Sequence, residues 1–488
     1  MNEVSATLSI ERRPCRMHKR VACLSARVGC LWLVPLLAGP ALVGCASGTE
    51  EGGPPLSVAL DVSSVTLDNG LEVVTVPNAT APVVTALVGV RAGSAVEGSD
   101  VNGYSHLFEH MMFQGSTDVP DPHEYQARLN ALGALSNATT SVDRVTYFFT
   151  APSSTLDPAL ELLAGALQRP ALDATILEKE KGVVIGEFDL NESQPDFLRY
   201  RVGLGLLYGA DAVRLDPLGS RSAVTGVSPA QLRAMHDRYY VPNNSLLIFS
   251  GDLSAAQGRE LAERHFGAWP RGEDPLLDAP PPTPEAVGTP QYSVMSADVT
   301  FTSIDLWWPG PSFEQDREGA LAGQLLSQVT LEVDHSFRRL VSAKIFSATL
   351  AVTSYRRAGY VQVRLGVFPG QEAAALALLR NSLGGVGEPG NVSAGQLEAA
   401  QDLAFSAQLY GDTTPGNVPA ELADAWGPGD WQDYLDQAND LYDIDQAALT
   451  RFARTYLRGP PRVTVLMSSP ENLAGQAIDA AWLEKATR

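Results

Sequence analysis

The sequence predicts an α/β chain built as two similar halves. Three observations carry this. Strand-like and helix-like stretches interleave between residues 62 and 250. A proline-rich stretch, 269–290, with Pro280-Pro281-Pro282 at its centre, then divides the chain. Beyond it the end of the first half recurs. Val227-Ser228-Pro229-Ala230-Gln231-Leu232, Tyr239 and Leu246-Leu247-Ile248 are matched by Ile444-Asp445-Gln446-Ala447-Ala448-Leu449, Tyr456 and Val463-Thr464-Val465 at a constant offset of 217. One register shared by a helix cap, an amphipathic helix and a buried strand points to duplication. The expected organisation is a leader (1–44), a flexible tether (45–58), a first half (59–268), the linker (269–290) and a second half (291–488).

In the first half, 62–76 reads as a β-hairpin that turns at Asp68-Asn69-Gly70, with Val/Thr/Leu alternation on both sides. Residues 83–90 form a strand of buried type, left by Arg91-Ala92-Gly93-Ser94. Asn102-Gly103 and Ser105 open a helix, and 121–132 is a second one. The stretch 137–150, rich in Thr, Val, Tyr and Phe, is a strand pair or one long strand. Helices follow at 156–166, 174–188 and 229–240, and 245–250 is a closing strand. Ser228 and Asp445 are the expected N-caps of the repeated helix.

The first of these helices carries His106-Leu107-Phe108-Glu109-His110, the H-x-x-E-H order. One helical turn separates the two imidazoles, so they point the same way and can hold one Zn²⁺. Glu109 lies close to that face and can reach a water on the metal without being a ligand. A catalytic zinc keeps three protein ligands and one open position, so a third donor must come from elsewhere. Glu180 and Glu187 are seven residues apart on one predicted helix and share a face. Glu187 is taken as the ligand and Glu180 as the neighbour that orients a ligand or its water. The second half has no H-x-x-E-H, which confines this chemistry to the first.

The N-terminus reads as a lipoprotein leader. Arg12, Arg13, Arg16, Lys19, Arg20 and Arg27 make a basic segment, and an apolar run follows, interrupted by Gly39 and Pro40. Leu42-Val43-Gly44-Cys45 resembles a bacterial lipobox, with Cys45 as the lipidated residue and Met17 as an alternative start. Ala46 favours the outer membrane, facing the periplasm. All four cysteines lie at or before Cys45, so the remainder has no disulfide, no thiol catalyst and no thiolate for a metal. Six of the 35 basic and two of the 56 acidic residues precede the cut, which leaves 29 against 54. So acidic a surface repels nucleic acid and anionic lipid, and membrane association is expected through the anchor alone.

The pieces, taken in order, resemble the pitrilysin/insulinase family of zinc metallopeptidases, and among them the short bacterial forms and the mitochondrial processing peptidase. They are Thr66-Leu67-Asp68-Asn69-Gly70-Leu71, Arg91-Ala92-Gly93-Ser94, Gly103 to Ser116 around the H-x-x-E-H, Asn137-Ala138-Thr139-Thr140, Glu180 with Glu187, and Tyr239-Tyr240-Val241-Pro242-Asn243-Asn244. The resemblance implies two domains, each a mixed sheet covered by helices, and a second subunit that closes a chamber around a peptide. It implies that the substrate lies extended beside Asn137, Ala138 and Thr139 as an added strand. It also implies that a second-half Arg, here Arg339, contacts the scissile region. The tyrosine that follows seven residues later in the family falls here on Phe346, which has no hydroxyl, although Tyr355 and Tyr360 are near. That departure suggests the zinc subunit of a heterodimer, with a homodimer as the alternative. The expectation is a zinc endopeptidase in which Glu109 is the general base. The competing one is a peptide-binding or assembly lipoprotein with a structural metal.

Overall fold

The computed structural model describes residues 4–7, 60–278, 280–332, 340–341, 344–412 and 416–487. Strand β1 (Val4–Thr7) precedes the first half, which contains strands β2 (Asp61–Thr66), β3 (Glu72–Pro77), β4 (Val83–Val90), β5 (Leu135–Thr140), β6 (Val145–Pro152) and β7 (Ser245–Gly251). Its helices are α1 (Tyr104–Met112), α2 (Pro122–Ala131), α3 (Leu156–Gln168), α4 (Ala174–Glu192), α5 (Pro195–Tyr208), α6 (Arg221–Gly226), α7 (Pro229–Tyr239) and α8 (Ala255–Phe266). The second half contains β8 (Gln291–Ser296), β9 (Thr302–Pro309), β10 (Ile345–Ser354), β11 (Gly359–Val367) and β12 (Val463–Ser468). Its helices are α9 (Arg317–Glu332), α10 (Glu372–Val386), α11 (Ala394–Asp412), α12 (Val418–Trp426), α13 (Gln432–Asp443), α14 (Gln446–Tyr456), α15 (Pro470–Gly475) and α16 (Ala480–Thr487).

The strands form two mixed sheets, in the orders β1-β2-β3-β7-β4-β6-β5 and β10-β11-β9-β12-β8. Five strands of each correspond one to one. β3 runs parallel to β7 as β8 does to β12, and every other pairing along the two series is antiparallel. The repeat read from sequence is visible at residue level. Ser228 accepts from the Gln231 amide in a capping box, Asp445 accepts from the Ala448 amide, and both capped helices run eleven residues before the buried strands β7 and β12. β1 falls inside the expected leader and pairs with β2 at the sheet edge. Cleavage before Cys45 would remove it and leave β2 as the edge.

The stretch 137–150 is a strand pair, with β5 and β6 joined by the turn at 141–144. The helix read over 174–188 continues to Glu192. α5 directly follows it and had no counterpart among the sequence expectations.

The halves exchange helices. α5, from the first half, packs on β8, β9 and β12 of the second sheet, and α12, from the second half, packs on β4 and β7 of the first. Each sheet has its own large apolar core, and a third cluster joins them through Val142, Leu204, Leu207, Tyr208, Trp307, Tyr360, Val463 and Val465. The fully buried Arg199 of α5 reaches Asp305 of β9 at 2.6 Å, and Arg364 of β11 takes the other carboxylate oxygen at 3.1 Å. Burial pushes the Asp305 pKa up, and the charges and hydrogen bonds of the two arginines oppose that shift.

Candidate metal centre

α1 is short and two-faced. Tyr104, Leu107, Phe108, Met111 and Met112 are buried, while His106, Glu109 and His110 are half-buried on the other side. Its start is fixed by a residue that no spacing rule singled out. The fully buried Glu97 accepts from the amides of Gly103 and Ser105, both at 2.7 Å, and from the Asn102 side chain at 3.2 Å. A carboxylate there meets two free N–H groups of the first turn and the positive end of the helix. Burial pushes its pKa up, and those hydrogen bonds oppose the shift. Gly103 lies at φ +104, and a Cβ there would sit 2.9 Å from Val224.

α4 lies against α1 and begins at Asp173, whose carboxylate caps the amides of Thr175 and Ile176. It buries Leu177, Glu180, Val184 and Phe188 along one stripe. Glu187 sits at the margin of that stripe, with 37 % of its side chain exposed against 7 % for Glu180. Two turns of helix thus bring both glutamates to α1.

The structure brings four predicted residues together. Glu187 Oε2 lies 3.3 Å from His106 Nε2, and its Oε1 lies 3.4 Å from His110 Nε2. Glu180 Oε2 lies 3.4 Å from the other nitrogen of His110, Nδ1. Among the described residues, His106, His110 and Glu187 form the one group of three donors that could hold a metal ion. Bonds of about 2.0–2.2 Å at a tetrahedral zinc place ligand atoms about 3.3–3.5 Å apart; each imidazole stands at that distance from one Glu187 oxygen, and one donor atom from each of the three residues lies within 4.8 Å of the other two. The donor set therefore fits Zn²⁺. Glu180 on Nδ1 has the place of the carboxylate that orients a ligating histidine. His106 Nδ1 is buried without a hydrogen-bonding partner, although the Leu218 carbonyl is close enough to favour the protonated ring.

Burial lowers the His106 pKa, but the hydrogen bond with Glu187 and the charges of Glu109 and Glu187 outweigh it, and the net shift is upward. The His106 hydrogen bond lowers the Glu187 pKa, with burial opposing.

Glu109 faces β5. Its Oε2 accepts a 2.5 Å hydrogen bond from Thr140 Oγ1. Of the three β5 residues expected to meet substrate, Asn137 and Thr139 are exposed and Ala138 is buried. Asn137 Oδ1 accepts from the Ala138 amide at 2.9 Å. Thr140 closes the stretch quoted from the sequence but was given no role there, although strand alternation places it on the same face as Ala138.

Arg339 and Cys45 lie outside the described residues. Phe346, expected from the resemblance to fall at the family tyrosine, is partly exposed at the start of β10 beside Phe301 and Phe368. Tyr360, which is buried, and Tyr355, which is half-buried, pack around Tyr200 and Trp307 at the junction of the halves. His236 bonds the Leu167 carbonyl and stacks on Tyr240, and His265 pairs with Asp157. Among the described residues, no helix is long and apolar enough to cross a membrane.

Two models of one peptidase family match the chain: "Insulinase (Peptidase family M16)" over residues 72–219 and "Peptidase M16 inactive domain" over 226–403. The chain is 28 % identical to an uncharacterized zinc protease of Mycobacterium tuberculosis over 68 % of its own length and 76 % of the relative. It is 24 % identical to the zinc protease PqqE of Helicobacter pylori over 83 % and 92 %. The crystal structure of the periplasmic protease PqqL from Escherichia coli superposes with a TM-score of 0.69 at 18 % identity, covering 88 % of this chain and 50 % of that one.

Proposed function

The chain belongs to the insulinase peptidase family, M16, in its short bacterial form, and from that premise we infer that it is a zinc-dependent endopeptidase acting on extended or unfolded peptides. The observation that carries the reading is the convergence of His106, His110 and Glu187 at coordination spacing, with Glu109 on the same helix face. A three-donor group supports a catalytic over a structural metal, since structural zinc is closed by four protein ligands.

His106, His110 and Glu187 would hold the ion, and Glu180 would keep the His110 ring in its ligating orientation. When bound, Zn²⁺ supplies Lewis acidity that makes water nucleophilic at neutral pH and polarises a peptide carbonyl. Glu109 takes the proton of the attacking water and delivers it to the departing amine. β5 ends its sheet, so its outer edge can receive a substrate strand. Main-chain pairing of that kind selects for extended chain more than for side-chain identity.

The test is a set of variants assayed for metal and for cleavage of an extended fluorogenic peptide. Glu109→Gln should retain zinc and lose at least about a hundredfold in kcat. His106→Ala and His110→Ala should lose the metal, and Glu187→Gln should bind it weakly. Hydrolysis by Glu109→Gln at the wild-type rate would end the reading.

The chain is further proposed to act beside a second subunit of its family, as a heterodimer or homodimer. Its match to half of the PqqL chain supports this, as does the missing hydroxyl at Phe346. It is also proposed to be lipid-anchored at Cys45 in the bacterial outer membrane, facing the periplasm, which rests on the leader sequence alone. A palmitate analogue should label the wild type and not Cys45→Ala; equal labelling would remove that assignment.

A further inference from the structure

Glu109 has a single carboxylate to aim, and its hydrogen-bond donor comes from another element. That donor is Thr140, the last residue of β5, at 2.5 Å. Position matters more than presence for a general base, because proton transfer needs the acceptor within hydrogen-bond reach of the water it serves. A glutamate on a helix has three side-chain torsions, and a short charge-assisted bond to one oxygen removes most of that freedom.

The residues after Thr140 are gripped on all sides. The Ser141 carbonyl accepts from the Ser94 amide at 3.4 Å and the Val142 carbonyl from the Ala95 amide at 2.9 Å. This approach is possible because residue 93 is glycine at φ +99; a Cβ would stand 2.3 Å from the Ser141 oxygen. Val142 is buried in the apolar cluster shared by the halves, with Trp307 and Tyr360. Asp143 accepts from the Arg356 amide of the second half at 2.9 Å. Arg144 pairs with Asp424 of the second half and lies against Gly427. Arg91, just before Gly93, donates to the Trp426 and Gly429 carbonyls and stacks over Trp426.

We propose that Thr140 is a positioning residue for the Glu109 carboxylate, and that the second half, which has no metal motif, holds Thr140 in place by gripping the turn that follows it. The proposal rests on Glu109 being the base. It gives the second half a task inside the same chain, distinct from any contact with substrate. It also means that the strand beside which substrate is proposed to lie carries the hydroxyl that aims the base.

The experiment combines kinetics with infrared difference spectroscopy of the full chain. The Glu109 carboxylate band is identified as the one lost in Glu109→Gln. Thr140→Val, which removes the hydroxyl and keeps the shape, should shift that band and lower kcat by about tenfold or more, with KM and zinc content unchanged. Thr140→Ser should restore both. Asp143→Ala, which cuts the bond to the Arg356 amide, should shift the same band in the same direction and lower kcat by less. An unshifted band with wild-type kcat in Thr140→Val overturns the role of Thr140. An unshifted band in Asp143→Ala overturns the part given to the second half. The band reports the hydrogen bond whether or not Glu109 proves to be the base, so failure of the general-base reading, seen as undiminished turnover in Glu109→Gln, is a separate outcome.

Discussion

The residues of the centre divide by how far their partners lie along the chain. His106, Glu109 and His110 were legible because their relation is set within one helical turn, whatever packs around them. Glu180 and Glu187 were legible as a pair for the same reason, and the structure adds that α4 brings them to α1. Glu97 and Thr140 were not. Their roles depend on a chain reversal before α1 and on the register of β5 against β6, which no local spacing encodes. Glu97 carries a prediction at this scale. Glu97→Gln sets an amide NH₂ against a buried backbone N–H, and should cost about 1–3 kcal/mol of stability in denaturant unfolding. It should also weaken zinc binding, because the start of α1 loosens. Unchanged stability and metal affinity would show that the cap does not govern the helix.

Elements were legible where their ends carry chemistry. The hairpin turns at Asp68-Asn69-Gly70 as its sequence demands, with the Gly70 amide bonded to the Leu67 carbonyl. The caps of α7 and α14 form as read, each with the side chain expected. The reading failed where an element's identity depends on its surroundings. α5 begins directly after the Ser193-Gln194 break and has weak amphipathic contrast, because it contacts apolar surface on the far sheet as well as its own half. A helix enclosed on more than one side loses the polar stripe by which such segments are recognised.

At the scale of the whole molecule, duplication is the organising fact, and the reciprocal placement of α5 and α12 is its consequence. Each sheet borrows a cover from the other half. The bond from Trp431 to Glu72 and the Arg199–Asp305 pair also run between the halves. Neither half is then complete alone. Residues 60–268 expressed by themselves would expose the α5 face that meets Trp307 and the sheet surface that meets Trp426. They should aggregate or unfold without a cooperative transition in calorimetry, whereas the full chain should unfold in a single one. A soluble first half with a sharp transition and bound zinc would contradict this. The duplication itself was readable because its signal is a register, while the exchange was not, since amphipathic patterns say which face is buried but not which neighbour buries it.

The last strand of the first sheet is built without guards. Leu135-Ser136-Asn137-Ala138-Thr139-Thr140 holds no lysine, no proline and no charge, and Leu135 stands 74 % exposed at its start. Most proteins blunt such a border to keep neighbours from stitching onto it. A border left receptive to foreign chain is equally receptive to its own kind, so the same feature that admits a substrate makes crowding hazardous, and the molecule has reason to keep that border enclosed.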